Sequence, residues 1–598
     1  MDTEPARELA RSHLLSLLKS IIPEKQKEGA QNIKKDLVIH SSLMKTLDQV
    51  AGTQRIKECG FDRLFKLEPV HPTTNNTLVY MIPAVYEYAK TIVDHVKAIV
   101  SHVKQTSFSY IRKIHVILVP RKLFLIEKLF EEEGIAGNTE LHDLNLNFVP
   151  WDVDLMSLEM PYFYSKTFID MDQSYLLPIA VSLSNLQSVY GVFPEPMAFG
   201  RLSCIVSSMM KSQNQSGGEF MQKKFEQVFL FDRDIDYPSV LLTQMTYEGL
   251  VDELLEINCG YLVTSDGGKM QNYALNSVKD EVFSTIKSKY ISFVFDDLRN
   301  KSRQLKEQKD SLSKLSVQET KKFVENDLRS IQTQFKSLAV HIEACEAITN
   351  KSGDLKSLHK IEESLILGVS VKEAAAYLEE AIAQQMPADM ILRLLCLLSI
   401  TSGGLDEKDY KLLKREFLYS YGFEHLITFH KLQKLGLFCQ KDIPTSTLNK
   451  AMEKLATTVI TRQGLFRSLV KKLSLIPKQS GEYNLRDPPD GAYVFGGRYI
   501  PMMSRIVESY LTKNIQVEEM LRTAMGNHHL QTRVINEVTA TTSVKTFLVG
   551  IIGGITYAEV DAFRQLGQRL QCEFILFGTS IINGNKLMRD VIFKVSSE

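Results

Sequence analysis

Two β-α-β patterns stand near opposite ends of this 598-residue chain, with a long helical block between them. In the first 150 residues, short β-rich runs occur at "DLVIH" (36–40), "TLVYMI" (77–82), "KIHVILVP" (113–120) and "LNLNFVP" (144–150), with helical patterns such as "PAVYEYAKTIVDHVKAIVSHVKQ" (83–105) between them. Strand, helix, strand in this rhythm predicts a parallel sheet with helices on its faces. The rhythm continues to about 260. From about 270 to 480 strands nearly vanish, and "RNKSRQLKEQKDSLSKL" (299–315), "ETKKFVENDLRSIQTQFKSLAVHIEACEAI" (319–348) and "SVKEAAAYLEEAIAQQ" (370–385) read as helices. A Gly-, Pro- and Asp-rich connection at 477–501 then leads to "KTFLVGIIGG" (545–554), "TYAEVDAFRQLGQRL" (556–570) and "CEFILFGTS" (572–580), a second β-α-β unit. A helical block between two α/β blocks predicts an insertion, with the segments before and after it sharing one sheet. The expected division is 1–150 for an α/β domain one, 151–260 and 491–598 for the two parts of an α/β domain two, and 261–490 for a mostly helical domain three.

Charge and cysteine usage exclude several function classes. Lys plus Arg equals Asp plus Glu, 71 each, so no net charge points to nucleic acid or to a membrane surface. The seven cysteines lie scattered, without a CxxC pair, which argues against a disulfide framework and a zinc site. His528 and His529 are adjacent but lack other ligands at metal spacing. The N-terminus has no uninterrupted signal-peptide core, and Leu9, Leu14, Leu15, Leu17 and Leu18 read as one face of a first helix. The most apolar run, "ILRLLCLLSI" (391–400), is short, carries Arg393 and reads as a buried helix. No cofactor or metal is expected, and any membrane attachment is expected to be indirect.

The stretch "VFLFDRDIDYP" (228–238) drives an apolar strand into three carboxylates, Asp232, Asp234 and Asp236. A calcium loop starting at Asp232 would need Gly at its sixth position and Glu at its twelfth, and Tyr237 and Thr243 stand there. A haloacid-dehalogenase-like phosphohydrolase would need Asp-x-Asp at a strand end, a Thr or Ser strand end, a Lys and an acidic pair. "VFLFDRD", "YLVTS" (261–265), Lys269 and "FVFDD" (293–297) follow in that order, but within about sixty residues and without strand–helix units between them. "SDGGKM" (265–270) is only half a phosphate loop, with Val263 and Met270 at positions that need Gly and Ser or Thr. The simpler reading makes Asp232, Arg233 and Asp236 an internal ion-pair and capping set.

Taken whole, "DRDIDYPSVLLTQMTYEGLVDELL" (232–255) resembles the hallmark segment of the Sec/Munc (SM) family, regulators of the SNAREs that drive membrane fusion. Asp232, Arg233, Asp236, Pro238, Leu241, Leu242, Thr246, Tyr247, Glu248, Gly249, Leu250, Asp252 and Glu253 occupy its positions. "PWDVDLMSLEMP" (150–161) is similar to the family's entry into its second domain. "YGFEHLITFHKLQKLGLF" (421–438), "YVFGGRYIPMMSRIVE" (493–508), "GGITYAEVDAF" (553–563) and "TSIINGNKLM" (579–588) resemble its vacuolar branch. One departure is His40, which follows Leu-Val-Ile where many members carry Asp.

The resemblance implies an arch of three domains, no catalytic residues, and SNARE proteins as partners. It also implies other subunits of the HOPS and CORVET tethering complexes, especially of the vacuolar sorting 16 type, at late endosome and vacuole or lysosome surfaces. It places the SNARE-contacting element on a helical hairpin at about 299–350 and gives Lys314, Lys321, Lys322, Arg329 and Lys336 as contact candidates. Residues 301–340 carry nine Lys or Arg against five Asp or Glu, which suits acidic SNARE motifs, although such runs are also ordinary solvated faces. Two other readings stay open on the residues alone: the phosphohydrolase, and a purely structural tether subunit.

Overall fold

The computed structural model describes the chain except residues 1–2, 22–33, 75, 106–112, 215–223, 267–268, 313–327, 352–354, 369–370, 442–465, 478–482, 513–529, 532–543 and 593–598. The first sheet is wholly parallel. Its strands are β1 (Lys35–Ile39), β2 (Phe61–Lys66), β3 (Thr77–Pro83), β4 (Ile114–Val119) and β5 (Thr139–Asp143), in the order β2-β1-β3-β4-β5. The three central strands are buried along their whole length, as a sheet covered on both faces requires. Leu37, Val79, Met81 and Ile117 face one apolar layer, and Val38, Tyr80, Val116 and Leu118 face the other. The first helix, Glu4–Ser20, buries Ala6, Ala10, Leu14 and Leu18, a four-residue repeat, and leaves Leu9, Leu15 and Leu17 at its margin.

Two edge strands depart from the sequence reading. "LNLNFVP" forms no full strand: only β6 (Val149–Pro150) pairs, while the edge strand is the more polar "TELHD" of β5 just before it. β2 was missed for a related reason, since only Phe61 of "FDRLFK" is fully buried.

The second sheet joins distant segments. Its strands are β6, β7 (Leu155–Ser157), β8 (Met197–Phe199), β9 (Gln227–Asp232), β12 (Leu530–Gln531), β13 (Thr546–Ile552) and β14 (Glu573–Gly578), in the order β12-β8-β9-β13-β14-β7-β6. At its centre β9 runs parallel to β13, with Phe229 opposite Val549 and Asp232 opposite Ile552. The stretch between β9 and β12 contains an antiparallel hairpin, β10 (Tyr261–Asp266) with β11 (Lys269–Ala274), and then helices. Thr264 and Lys269 therefore belong to this hairpin. "FVFDD" lies in the helix Ile291–Leu312, so the pieces a phosphohydrolase would need are not assembled at the end of β9.

Gly550 of β13 stands opposite Phe577 of β14, and the Phe577 ring fills the space a side chain at 550 would need. The ring also packs on Phe148, with centroids 4.7 Å apart. Gly550→Ala is expected to destabilise the fold by about 1–3 kcal/mol through overpacking. Urea denaturation checks this, and an unchanged midpoint would contradict the packing described.

Candidate functional site

The hallmark segment leaves β9 through a short 3-10 turn (Arg233–Ile235), passes the helical turn Pro238–Leu241 and enters the helix Tyr247–Leu255. It is buried almost throughout. Its charged side chains reach five other parts of the chain.

Asp232 sits at the start of the helix Arg201–Asn214. Its two oxygens accept from the backbone N–H groups of Leu202 and Ser203, each at 2.7 Å, and from the Ser203 hydroxyl at 2.5 Å. Gly200, with φ +108°, leaves room for this carboxylate. Asp236 meets a second helix start: Met502 N–H donates to it at 2.8 Å and the Tyr499 hydroxyl at 3.0 Å, while Ser239 donates through both N–H and hydroxyl. Anions at helix N-termini are favoured by the helix dipole and the free N–H groups. Arg233 lies between them, fully buried, and forms a two-pronged pair with Glu559, both bonds at 2.8 Å. Glu559 also completes the capping box of the helix Tyr557–Leu570. The oxygens of Asp232 and Asp236 are thus taken up by protein donors, and the buried guanidinium between them repels a cation. The arrangement is an internal junction.

A second cluster centres on Arg564, which sequence reasoning missed. Its guanidinium grips Asp154 through two bonds, at 2.7 and 2.8 Å, and reaches Asp152 at 3.0 Å, Asp561 at 2.9 Å and Glu248 at 3.1 Å. Lys287 adds a second cation, 2.5 Å from Asp152. Two cations facing three buried carboxylates and the partly buried Asp154 cannot balance four negative charges. Burial, with repulsion from Asp561, pushes Glu248 up to about 8 against the pull of Arg564. Burial likewise raises Asp561, whereas at Asp154 the bidentate Arg564 outweighs burial and lowers the carboxyl.

The rest of the segment ties in the helical block. Tyr247 donates to or accepts from His341 Nδ1 at 2.7 Å. His341 Nε2 meets Asp280 at 2.9 Å, and the Ser337 hydroxyl donates to the same carboxylate at 2.5 Å. Arg393, noted in the sequence only as a charge in an apolar run, pairs with Glu253 and donates to the Leu241 carbonyl at 2.9 Å. Asp252 accepts from Lys586 and Asn583, each at 2.7 Å. Thr246 heads the helix without a side-chain cap bond. Gly249 must be glycine because a Cβ there would lie 2.7 Å from Gln244, whose amide oxygen accepts from Ala558 N–H.

Of the predicted contact residues, Lys314, Lys321 and Lys322 lie outside the described residues. Arg329 falls in the helix Leu328–Lys351, though its side chain lies outside the described set; Lys336 is on the same helix and exposed. His40, in place of the usual Asp, caps the helix Ser41–Val50 through Nδ1, which accepts from Ser42 N–H at 3.3 Å.

Comparison with known proteins fits this layout. The profile of the Sec1 family matches residues 35–590. The chain belongs to the Sec1 family. This Sec1-family chain is 33% identical to the human vacuolar protein sorting-associated protein 33B over 615 aligned positions, covering 98% of this chain and 97% of that protein. It is 27% identical to the Arabidopsis thaliana vacuolar protein-sorting-associated protein 33 homolog, covering 97% and 98%. Among solved structures, the Unc18–syntaxin 1 complex of Monosiga brevicollis matches with a TM-score of 0.57 at 16% identity, over 98% of each chain. The SM protein Vps45 in complex with the Qa SNARE Tlg2 matches with a TM-score of 0.57 at 14% identity, over 99% and 98%. The parallel-sheet α/β architecture of the SM proteins is therefore shared.

The charge balance around Arg564 has a measurable sign. Glu248 is held up to about 8 in the fold, against an ordinary glutamate value of about 4.3. Its contribution to stability is complete below the ordinary value and is lost as pH rises through about 8. Glu248→Gln should therefore cost under about 1 kcal/mol at pH 7 and flatten the decline in stability between about pH 5 and pH 8. Arg564→Met removes a cation from four carboxylates and should cost about 3–5 kcal/mol at neutral pH. Urea denaturation across pH tests both, and a Glu248→Gln protein whose stability fell as steeply as the parent's between about pH 5 and pH 8 would refute the assignment.

Proposed function

We propose that this chain is a SNARE-binding subunit of a vacuolar or endosomal tethering complex, which holds SNARE segments together and so promotes their assembly and membrane fusion. The observation that carries the reading is the likeness over nearly the whole chain to vacuolar protein sorting 33 proteins, joined to an architecture shared with SM proteins solved with SNARE partners. SNARE motifs assemble as a four-helix coiled coil. Ordering them costs on the order of 1–2 kcal/mol per residue in backbone entropy, so a surface that pre-aligns two of them lowers the assembly barrier.

The arch reading places domain one at 1–150, domain two at 151–260 and 491–598, and domain three at 261–490, with the hairpin as the SNARE-contacting element. Its two helices, Ile291–Leu312 and Leu328–Lys351, frame a groove of about 400 Å³. Phe295 and Ile342 are 43% and 37% exposed there, with Arg299, Arg303 and Lys306 at the rim. An apolar floor with a basic rim suits an acidic amphipathic helix. A separate apolar surface, Tyr419, Phe423, Leu426 and Ile427, is exposed where the helix Glu407–Tyr421 turns into His425–Lys434. Exposed patches of this kind mark protein contacts, and this one suits a tether subunit of the vacuolar sorting 16 type. Among the described residues no helix is long and apolar enough to cross a membrane. The reading puts the protein at late endosome and vacuole or lysosome surfaces through its partners.

Reversal to Glu of Lys321, Lys322, Arg329 and Lys336 together should weaken SNARE-motif binding, most at low salt. Each exposed pair is worth about 0.2–1 kcal/mol and is screened by ions. Phe423→Asp with Ile427→Asp should show the reverse profile, losing the tether subunit and keeping SNARE affinity. Affinities measured at two salt concentrations, with melting curves as fold controls, decide this; equal SNARE affinity in a folded charge-reversal protein would move the site off the hairpin's basic face. The reading also excludes hydrolysis. Purified protein should show no magnesium-dependent phosphatase activity, and turnover that disappeared in a folded Asp232→Asn variant would overturn the junction role of that carboxylate.

A further inference from the structure

We propose that His115, Glu140 and His142 form a binding site for a divalent transition metal of the zinc type on the first sheet. His115 lies on β4 and stands opposite Glu140 of β5 in the parallel register; Ile117 stands opposite His142. Glu140 and His142 are two apart on an edge strand, so they share a face. That register brings His115 Nδ1 to 3.1 Å from His142 Nε2. One oxygen of Glu140 lies 3.8 Å from His115 Nδ1, and the other lies 3.8 Å from His142 Nε2. One donor atom from each of the three residues falls within 4.8 Å of the other two. A tetrahedral zinc ion with bonds of about 2.0–2.1 Å holds its ligand atoms about 3.3–3.4 Å apart. Side-chain rotations of a few tenths of an ångström to about one ångström would close the three donors on one ion.

The chemistry of the set fits. Burial lowers the proton affinity of both imidazoles, against the pull of Glu140, and it is the neutral imidazole that binds metal. Two imidazole nitrogens and a carboxylate suit zinc, copper or nickel, and do not suit magnesium or calcium, which take oxygen ligands. Three protein ligands leave a fourth position for water, on the side where Glu140 is 48% exposed. The ion would staple the polar edge strand β5 to β4, immediately before the segment that leads into the second sheet. In the sequence His115 stands 25 positions from Glu140, and neither lies near a cysteine pair or the adjacent His528 and His529, so local spacing could not reveal the site.

The test uses the full-length protein after chelator treatment and dialysis. Zinc bound per chain is measured by elemental analysis, cobalt binding by its visible spectrum, and Tm with and without zinc. The parent should bind one more equivalent of zinc than Glu140→Gln with His142→Asn. Its Tm should rise with zinc and not with magnesium, and its cobalt spectrum should be that of a tetrahedral site. Both substitutions lie on the edge strand; His115→Asn, in a buried position, serves as a second variant. Equal zinc stoichiometry and an equal zinc-dependent Tm in the parent and the folded double variant would overturn the site, as would a parent that binds no zinc.

Discussion

The guanidinium of Arg233 and the carboxylate of Glu559 meet across 326 residues of sequence with neither exposed to solvent. Burying two charges costs several kcal/mol each, and a good salt bridge at best returns that cost. The pair therefore adds little net stability, but it is demanding about geometry. It is satisfied only when β9 and β13 lie side by side in one register and the helix Tyr557–Leu570 starts where Glu559 can both cap it and reach Arg233. A slip of β13 would leave two unpaired charges in the core. We read the pair as a register device for a sheet whose two central strands are separated by the whole helical block.

The same logic repeats outward from one segment. Asp232 and Asp236 each occupy a helix start, Glu248 meets Arg564, Asp252 meets Lys586, and Glu253 meets Arg393. Each partner lies in a different stretch of chain, so the segment is a hub at which the two parts of the split sheet and the helical block must all be correctly placed. Its density of buried charge is a feature of assembly, and a metal or phosphoryl site is not needed to explain it.

The sequence made part of this legible. Fully buried parallel strands are continuous apolar runs, so β1, β3 and β4 could be found within a residue or two, and the hallmark could be recognised because it is long and contiguous. What was hidden is whatever depends on pairing. The edge strand β5 is polar because one side of it lacks a neighbour, so "TELHD" gave way to the more apolar "LNLNFVP" after it. Arg564 and Arg393 looked like ordinary helix residues, since most of their partners lie more than a hundred positions away. Lys314, Lys321 and Lys322 lie outside the described residues, whereas the exposed Phe295 and Ile342 emerge only when the two hairpin helices are set side by side.

The hub also bears on how the hairpin can act as a holding surface. The helix Leu328–Lys351 is fixed to the hallmark through Tyr247, His341, Asp280 and Ser337, all buried. Asp280 accepts several of these bonds at once. Burial opposes its ionisation, yet the hydrogen bond and charge of His341, with the donors Phe283 N–H and Ser337, hold it well below the usual carboxylate range. A second tie runs from Thr243 to Glu362 in the following helix, Leu355–Leu367. A surface that pre-aligns disordered segments gains from being stiff, because whatever freedom it retains must also be given up on binding. In the proposed reading, the segment whose Arg233 holds the split sheet in register also anchors the SNARE-contacting hairpin through Tyr247, which explains why residues with no SNARE contact of their own form the most recognisable stretch of the chain.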